Sequence, residues 1–332
     1  MKYIKIISIS FLIIILLVLC IFSSLAFGSK NIDLKIVIDT LRNLSNNSFE
    51  AIVIKERIPR TIFSLLAGAS LGIAGTLMQS ITRNPIADPS ILGINTGASL
   101  FVVLGIAFLG ITTYKEYIIL ALIGGLVTAI AVYFIASIGS GGISPIKLAL
   151  SGVIISAILS SLINILMLPR SEVMSSFRFW QVGSVSGVTW QSIIVMLPFI
   201  IIGMILSFVV APALNALALG DEVAIGLGVK VGLTRIISSI SAILLCSTVT
   251  ALAGPIGFIG LMSPHIIRML FSNNIKLIIP ISAFMGGILL TFSDVIGRIV
   301  GSPSELEVGI VTAFIGAPIF ILISMKAKVR SL

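Results

Sequence analysis

Ten apolar stretches, most of them near the ~20 residues that an α-helix needs to cross the hydrocarbon of a bilayer, divide this chain from end to end. They lie at roughly 6–28, 61–81, 90–110, 117–138, 146–168, 190–211, 233–252, 256–271, 277–297 and 306–325. The eighth is the shortest and carries Ser263-Pro264, so it is expected to be broken or tilted. Irregular backbone at that depth is tolerated where it packs against protein or lines a cavity. A water-soluble globule is excluded: of 332 residues 58% are apolar and 10% charged, and the mean hydropathy is +1.23. Too little polar side chain remains to coat a soluble surface of this size. The predicted fold is all-α and integral to the membrane, a polytopic bundle of about ten transmembrane helices. No loop is long enough for a folded catalytic domain, so residues 1–332 read as a single transmembrane domain.

Lys2 and Lys5 precede an apolar run from Ile6 to Phe27 that is too long for a typical signal-peptide core and long enough to span, so it reads as an uncleaved first helix. An even number of spans puts both termini on one side. Lys2 and Lys5 at one end and Lys326, Lys328 and Arg330 at the other make that side the cytoplasm. The loops add little to this, with 11 Lys/Arg inside against 10 outside, so the orientation rests on the termini. Two loops are longer than the rest. Residues 29–60 form an external segment rich in charge, and residues 169–189 carry Phe179-Trp180, which fits an aromatic anchor at the membrane interface.

Cys20 and Cys246 both lie inside apolar runs, which excludes a disulfide framework and a Cys-x-x-Cys clamp. His265 is the one histidine and cannot by itself build a metal cage. Any metal handled by such a chain arrives wrapped in its own ligand. The net charge of +9 reads as basic ends facing anionic lipid headgroups, not as a nucleic-acid surface.

Four short motifs punctuate the spans. Asn84-Pro85-Ile86-Ala87-Asp88-Pro89 places an N-cap before a proline at a first helical position, so a helix begins there and the two prolines make a stiff cytoplasmic corner. Gly220-Asp221-Glu222-Val223-Ala224-Ile225-Gly226-Leu227-Gly228 has acids at its start and glycines at its end, as a short helix would. Its Val223, Ala224 and Leu227 form an apolar stripe that suits either a groove in a partner protein or the lipid interface. His265 and Arg268 share one helix face near the cytoplasmic boundary, where a cation at a helix C-terminus is favourable in any case. Asp294 and Arg298 are spaced for a local ion pair, worth a few tenths of a kcal/mol if exposed, and Ser304 with Glu307 matches a capping box that starts the tenth span. Together with Arg57 and Arg60, Arg298 gives the outer face a set of cations suited to carboxylates on a docking protein. Gly68, Gly72 and Gly75 form a small-residue stripe for close helix packing.

No Gly-x-x-x-x-Gly-Lys-Ser/Thr phosphate loop is present, nor His-Glu-x-x-His or Gly-x-Ser-x-Gly, and the spans hold few acids or bases of the kind ion-coupled carriers use. The chain therefore reads as no enzyme of these kinds, and energy for any pumping would have to come from another subunit.

Taken together, Arg57-Ile58-Pro59-Arg60, the Gly68/Gly72/Gly75 stripe with Met78-Gln79, Asn84 to Pro89 and Leu92-Gly93 resemble the signature of the FecCD-type permeases. So do Gly254 to Leu261 with Pro264-His265-Ile266-Ile267-Arg268, and Gly309-Ile310-Val311-Thr312 with Gly316-Ala317-Pro318. These are membrane subunits of type II ABC importers for ferric siderophores, haem and cobalamin, and the resemblance runs from about residue 50 to 326. It implies a second permease chain (a copy or a paralogue), two ATP-binding-cassette ATPases that hold ATP and Mg, and an extracellular substrate-binding protein, in a bacterial cytoplasmic membrane. The chain itself would bind no cofactor. Carried over position by position, Arg57, Arg60 and Arg298 resemble the arginines that dock the binding protein. Gly220, Asp221, Glu222, Ala224 and Gly228 resemble a short cytoplasmic coupling helix seated in the ATPase. Asn84 and Ile86 resemble cytoplasmic gate positions; the second gate falls on Ser144, Pro145 and Ile146, and the last two depart from the small hydroxyl residues of that pattern. A ferric siderophore is the expected cargo, with haem or cobalamin import by the same family, or an ion-coupled secondary carrier, as alternatives.

Overall fold

The structure, a computed structural model, describes residues 2–43, 48–138, 145–169, 180–270 and 273–326. Among them there is no β-strand. The helices are α1 (Lys2–Ala26), α2 (Leu34–Arg42), α3 (Phe49–Thr82), α4 (Ile94–Leu104), α5 (Tyr114–Ser137), α6 (Pro145–Met167), α7 (Trp190–Leu217), α8 (Asp221–Gly226), α9 (Val231–Ala253), α10 (Ile259–Leu270), α11 (Ile275–Val300) and α12 (Val308–Lys326). Six of these helices, α3, α5, α6, α7, α9 and α11, are long and apolar enough to cross a membrane. Four shorter apolar helices lie at Phe11–Ala26, Ile94–Leu109, Ile259–Leu270 and Val308–Ile321. The ten apolar runs of the sequence thus reappear as helices, six of which meet both the length and the apolar composition of a crossing among the described residues. At 1.5 Å per residue the 12 residues of α10 reach ~18 Å, well short of a ~30 Å hydrocarbon core.

The external segment at 29–60 is not a loop. Asp33 caps α2 by accepting from the Lys35 amide at 2.8 Å, and Ser48 caps α3 by accepting from the Ala51 amide at 3.3 Å. Helix α3 therefore begins twelve residues before the apolar run and continues through Pro59. Its 34 residues span ~51 Å, so the helix projects beyond the hydrocarbon and carries Arg57 and Arg60 on the projecting part. Its other end closes on Arg83 in the left-handed region, φ 50°.

Helix α3 is also the centre of the bundle, packed along α11 and crossed by α9, α10 and α7. The glycine stripe permits this. A Cβ on Gly68 would run into the Gly286 carbonyl of α11, and one on Gly75 into the Gly260 backbone of α10. Ser263-Pro264 does not break the eighth span: α10 runs through Pro264, and the irregular backbone lies ahead of it at 254–258, where Phe258 takes φ 69°. The Trp180 indole N–H donates to the Ala251 carbonyl at 3.2 Å and its ring packs among α4 and α6 residues, so protein holds it in place; Phe179 lies outside the described residues. The expected capping box is also absent. The Ser304 hydroxyl donates back to the Gly301 carbonyl at 2.9 Å, and α12 starts only at Val308.

Candidate functional site

At the end of the bundle where α3 projects, the three arginines singled out in the sequence converge, but they turn inward. Arg57 donates through Nη1 to the Leu25 and Ala26 carbonyls at 2.8 and 3.1 Å, and through Nη2 to the Lys30 carbonyl at 2.7 Å. The Leu25 and Ala26 carbonyls end α1, where a helix leaves carbonyls without intrahelical donors, so Arg57 is a C-terminal cap made from another helix. Arg298, only 1% exposed, donates to the Ser24 carbonyl at 3.0 Å and to the Ser24 hydroxyl at 2.9 Å. It also faces Asp294 at 3.1 Å. The pair would be weak if exposed, but both partners are buried, where taking charges out of water is costly, and the Arg298 Nε finds no hydrogen-bond acceptor among the described residues.

Arg60 completes the cluster and is its outermost cation. Its Nε and Nη2 fork onto Asp294 at 3.1 and 2.6 Å, and its Nη1 meets Glu305 at 2.6 Å. Glu305, in the segment before α12, is about one-third exposed, whereas Asp294 is sealed. Three guanidinium groups against two carboxylates leave this corner one positive charge in excess. Of the three predicted arginines, then, Arg57 and Arg298 are committed to holding α1 against α3 and α11, and Arg60 is the one at the rim. Glu305 and Ser24 were not anticipated. They lie 245 and 274 residues from their partners Arg60 and Arg298, and no local spacing signals such a pairing.

At the opposite end, α8 is the short helix expected between the sixth and seventh apolar runs. Gly220 enters it at φ 120° and Gly228 leaves it at φ 81°, backbone conformations that a side chain would strain. Asp221 and Glu222 occupy its first turn. The Asp221 carboxylate is gripped twice, by Arg83 at the end of α3 and by Arg235 of α9 at 3.1 Å. The predicted apolar stripe is only partly right. Ala224 is fully buried against its own chain, and Val223, Ile225 and Leu227 form the exposed surface instead.

Arg83 is followed at once by the proline-rich corner. The Asn84 carboxamide oxygen accepts from the Ile86 amide at 3.1 Å, and the Asn84 carbonyl from the Ala87 amide at 3.1 Å, which folds the corner onto itself. The expected helix start at Asp88-Pro89 is a single 3₁₀ turn, Pro89–Leu92, ahead of α4. Asn84, Asp88 and Leu92 share a small recess with Leu148 and Ala149 of α6. The first predicted gate segment therefore lies beside the first turn of α6. Ile146 stands exposed at the start of α6, which Pro145 opens; Ser144 lies outside the described residues.

A helical bundle of membrane dimensions, with one charged corner at each end and a short helix with an exposed apolar surface at one of them, is that of a multi-pass integral membrane protein. The sequence model of the FecCD transport family matches residues 16–326, and the chain belongs to that family. It is 39% identical over 319 residues to the ferric enterobactin transport system permease protein FepD of Escherichia coli, covering 96% of this chain and 95% of that one. It is 40% identical over 321 residues to the Fe(3+)-citrate import system permease protein YfmD of Bacillus subtilis, covering 95% and 94%. Among solved structures, it matches an inward-facing conformation of a metal-chelate type ABC transporter with a TM-score of 0.81 and 27% identity, over 96% of this chain and 99% of that one. The chain is thus a multi-pass permease subunit of the ABC importer type, which works in a complex whose ATPase is a separate subunit.

Proposed function

We propose that this chain forms the membrane pathway for a ferric chelate, a siderophore or iron citrate, delivered by an extracellular binding protein and driven inward by two ABC ATPases. The observation that carries the reading is identity of about two residues in five, over nearly the whole chain, to permeases of ferric enterobactin and ferric citrate systems. With both termini cytoplasmic, as their lysines favour, α8 lies on the ATPase side. Its exposed Val223, Ile225 and Leu227 supply an apolar face for a groove, and Asp221 ties that helix to the corner at Asn84 and Ile86. Movement of α8 would then be felt at the gate formed by Asn84, Ile86 and the residues opening α6, Ser144, Pro145 and Ile146. On the outer side Arg60 and the excess charge of its cluster suit an acidic patch of the binding protein. Helix α6 is the least buried of the long helices and offers its apolar length to a second permease chain.

The test is purification of the tagged chain from its native membrane in mild detergent, followed by reconstitution into vesicles. Two permease chains with two ATPases, taking up ferric siderophore or ferric citrate only with ATP and binding protein, is the expected result. Uptake by this chain alone under an ion gradient, or ATP-driven uptake of haem or cobalamin but no ferric chelate, would overturn the reading.

A further inference from the structure

Between α5 and α9 runs an open groove of about 580 Å³ whose walls are almost wholly apolar. Ile130 and Phe134 of α5 face Ile236 and Ile240 of α9 across it, and all four are exposed. Both helices are of membrane-crossing length, so the groove opens toward lipid and an acyl chain is the occupant that its solvent supplies. Its length fits one chain. The lining on α5 runs from Leu126 to Ser137, which at 1.5 Å per residue is ~16 Å, about half of a ~30 Å hydrocarbon core and so the depth of one leaflet.

The groove is polar at one end only, the end beside α8. There the Tyr133 and Ser239 hydroxyls meet at 3.2 Å, with Ser137 and Arg235 beyond them toward the boundary. Lys147 of α6 reaches the same place, its Nζ 3.3 Å from the carbonyl of Ile138, the residue after Ser137. Arg235 is one-third exposed, and its contacts to Asp221 both come from Nη2. Because Asp221 is shared with Arg83, one carboxylate answers two guanidinium groups. A groove one leaflet long, with two cations and three hydroxyls at its headgroup end, has the complementarity of an anionic lipid.

We propose that this groove is a binding site for an anionic phospholipid of the leaflet on the α8 side, one acyl chain lying between α5 and α9 and the phosphate held by Arg235 and Lys147. The proposal does not depend on which chelate is carried. Through Arg235 it touches the same carboxylate that fixes α8, so lipid occupancy would bear on how firmly that helix is held.

The experiment uses the intact complex, delipidated and titrated by native mass spectrometry with phosphatidylglycerol and, separately, phosphatidylcholine. Wild type should retain phosphatidylglycerol preferentially. Arg235→Gln and Lys147→Gln should each weaken phosphatidylglycerol about fivefold, the effect of one basic side chain on an anionic lipid, and leave phosphatidylcholine unchanged. Ile236→Trp, which fills the groove from an exposed wall, should weaken both lipids while the complex still assembles. Equal retention of the two lipids by wild type would overturn the proposal, as would undiminished phosphatidylglycerol binding in the two glutamine variants. Displacement of the lipid by inorganic phosphate alone would make this a free-anion site and overturn it too. So would cross-linking of Ile236→Cys to a second permease chain, which would show the groove to be covered by protein.

Discussion

Asp221 and Arg83, 138 positions apart in sequence, form an ion pair that fastens the start of α8 to the end of α3. Both side chains are more than one-third exposed, so the pair contributes at most ~1 kcal/mol to stability. Its consequence is mechanical, since Arg83 is the residue before the Asn84 corner. Asp221→Asn should leave the melting temperature within a few degrees of wild type, while uptake by the reconstituted complex falls several-fold at preserved ATPase binding. A variant that transports normally would show that α8 does not act on the corner through this carboxylate.

The rim pair predicts a change of opposite sign. Glu305 neutralises Arg60 in the isolated chain, in the place where an acidic residue of a docking protein would bind. Glu305→Gln should therefore tighten binding of the extracellular binding protein, and Arg60→Gln should weaken it, each by several-fold and more strongly at low salt. Surface plasmon resonance on detergent-solubilised complex reads both. Equal affinities across the three proteins would place docking elsewhere.

Arg298 behaves differently because nothing reaches it from outside. Its removal in Arg298→Ala orphans the Ser24 carbonyl and leaves Asp294 to Arg60 alone in a sealed site. Breaking a buried pair of this kind costs ~3–5 kcal/mol. The expected result is poor recovery of folded chain and a lowered melting temperature, before any question of docking arises. A stable Arg298→Ala protein with lost binding-protein affinity would return Arg298 to the docking role that the family resemblance implies.

These three cases show where a sequence is legible and where it is not. The periodicity of apolar residues located every long helix, because burial in lipid constrains composition over some twenty residues at a time. The Gly220–Gly228 motif located α8 for the same local reason, since caps and glycines act within a turn or two. The direction in which Arg57 and Arg298 point was not legible. It depends on orphan carbonyls at the end of α1, more than thirty and more than two hundred and seventy residues away respectively. Ala224 inverted within its stripe for a similar reason: a helix of six residues, 221–226, has too few turns to define a face until its neighbours are in place. Helix α3 outran its apolar run because a Ser48 cap and packing against α1 and α2 sustain it beyond the hydrocarbon.

The crossing of α3 with α10 gives the sharpest structural test. At Gly75 an added methyl would fall on the backbone of Gly260 in the first turn of α10, and backbone cannot rotate aside as a side chain can. Gly75→Ala should therefore cost ~1–3 kcal/mol by overpacking, although alanine is the better helix former. Gly232, in the first turn of α9, has no atom within 4 Å of the position its Cβ would take. There the same substitution should stabilise by ~0.4–1 kcal/mol through the unfolded chain. Melting the two variants side by side in one detergent separates the effects. A Gly75→Ala protein as stable as Gly232→Ala would mean that α3 and α10 do not approach backbone to backbone, and that the bundle is centred differently from the arrangement described above.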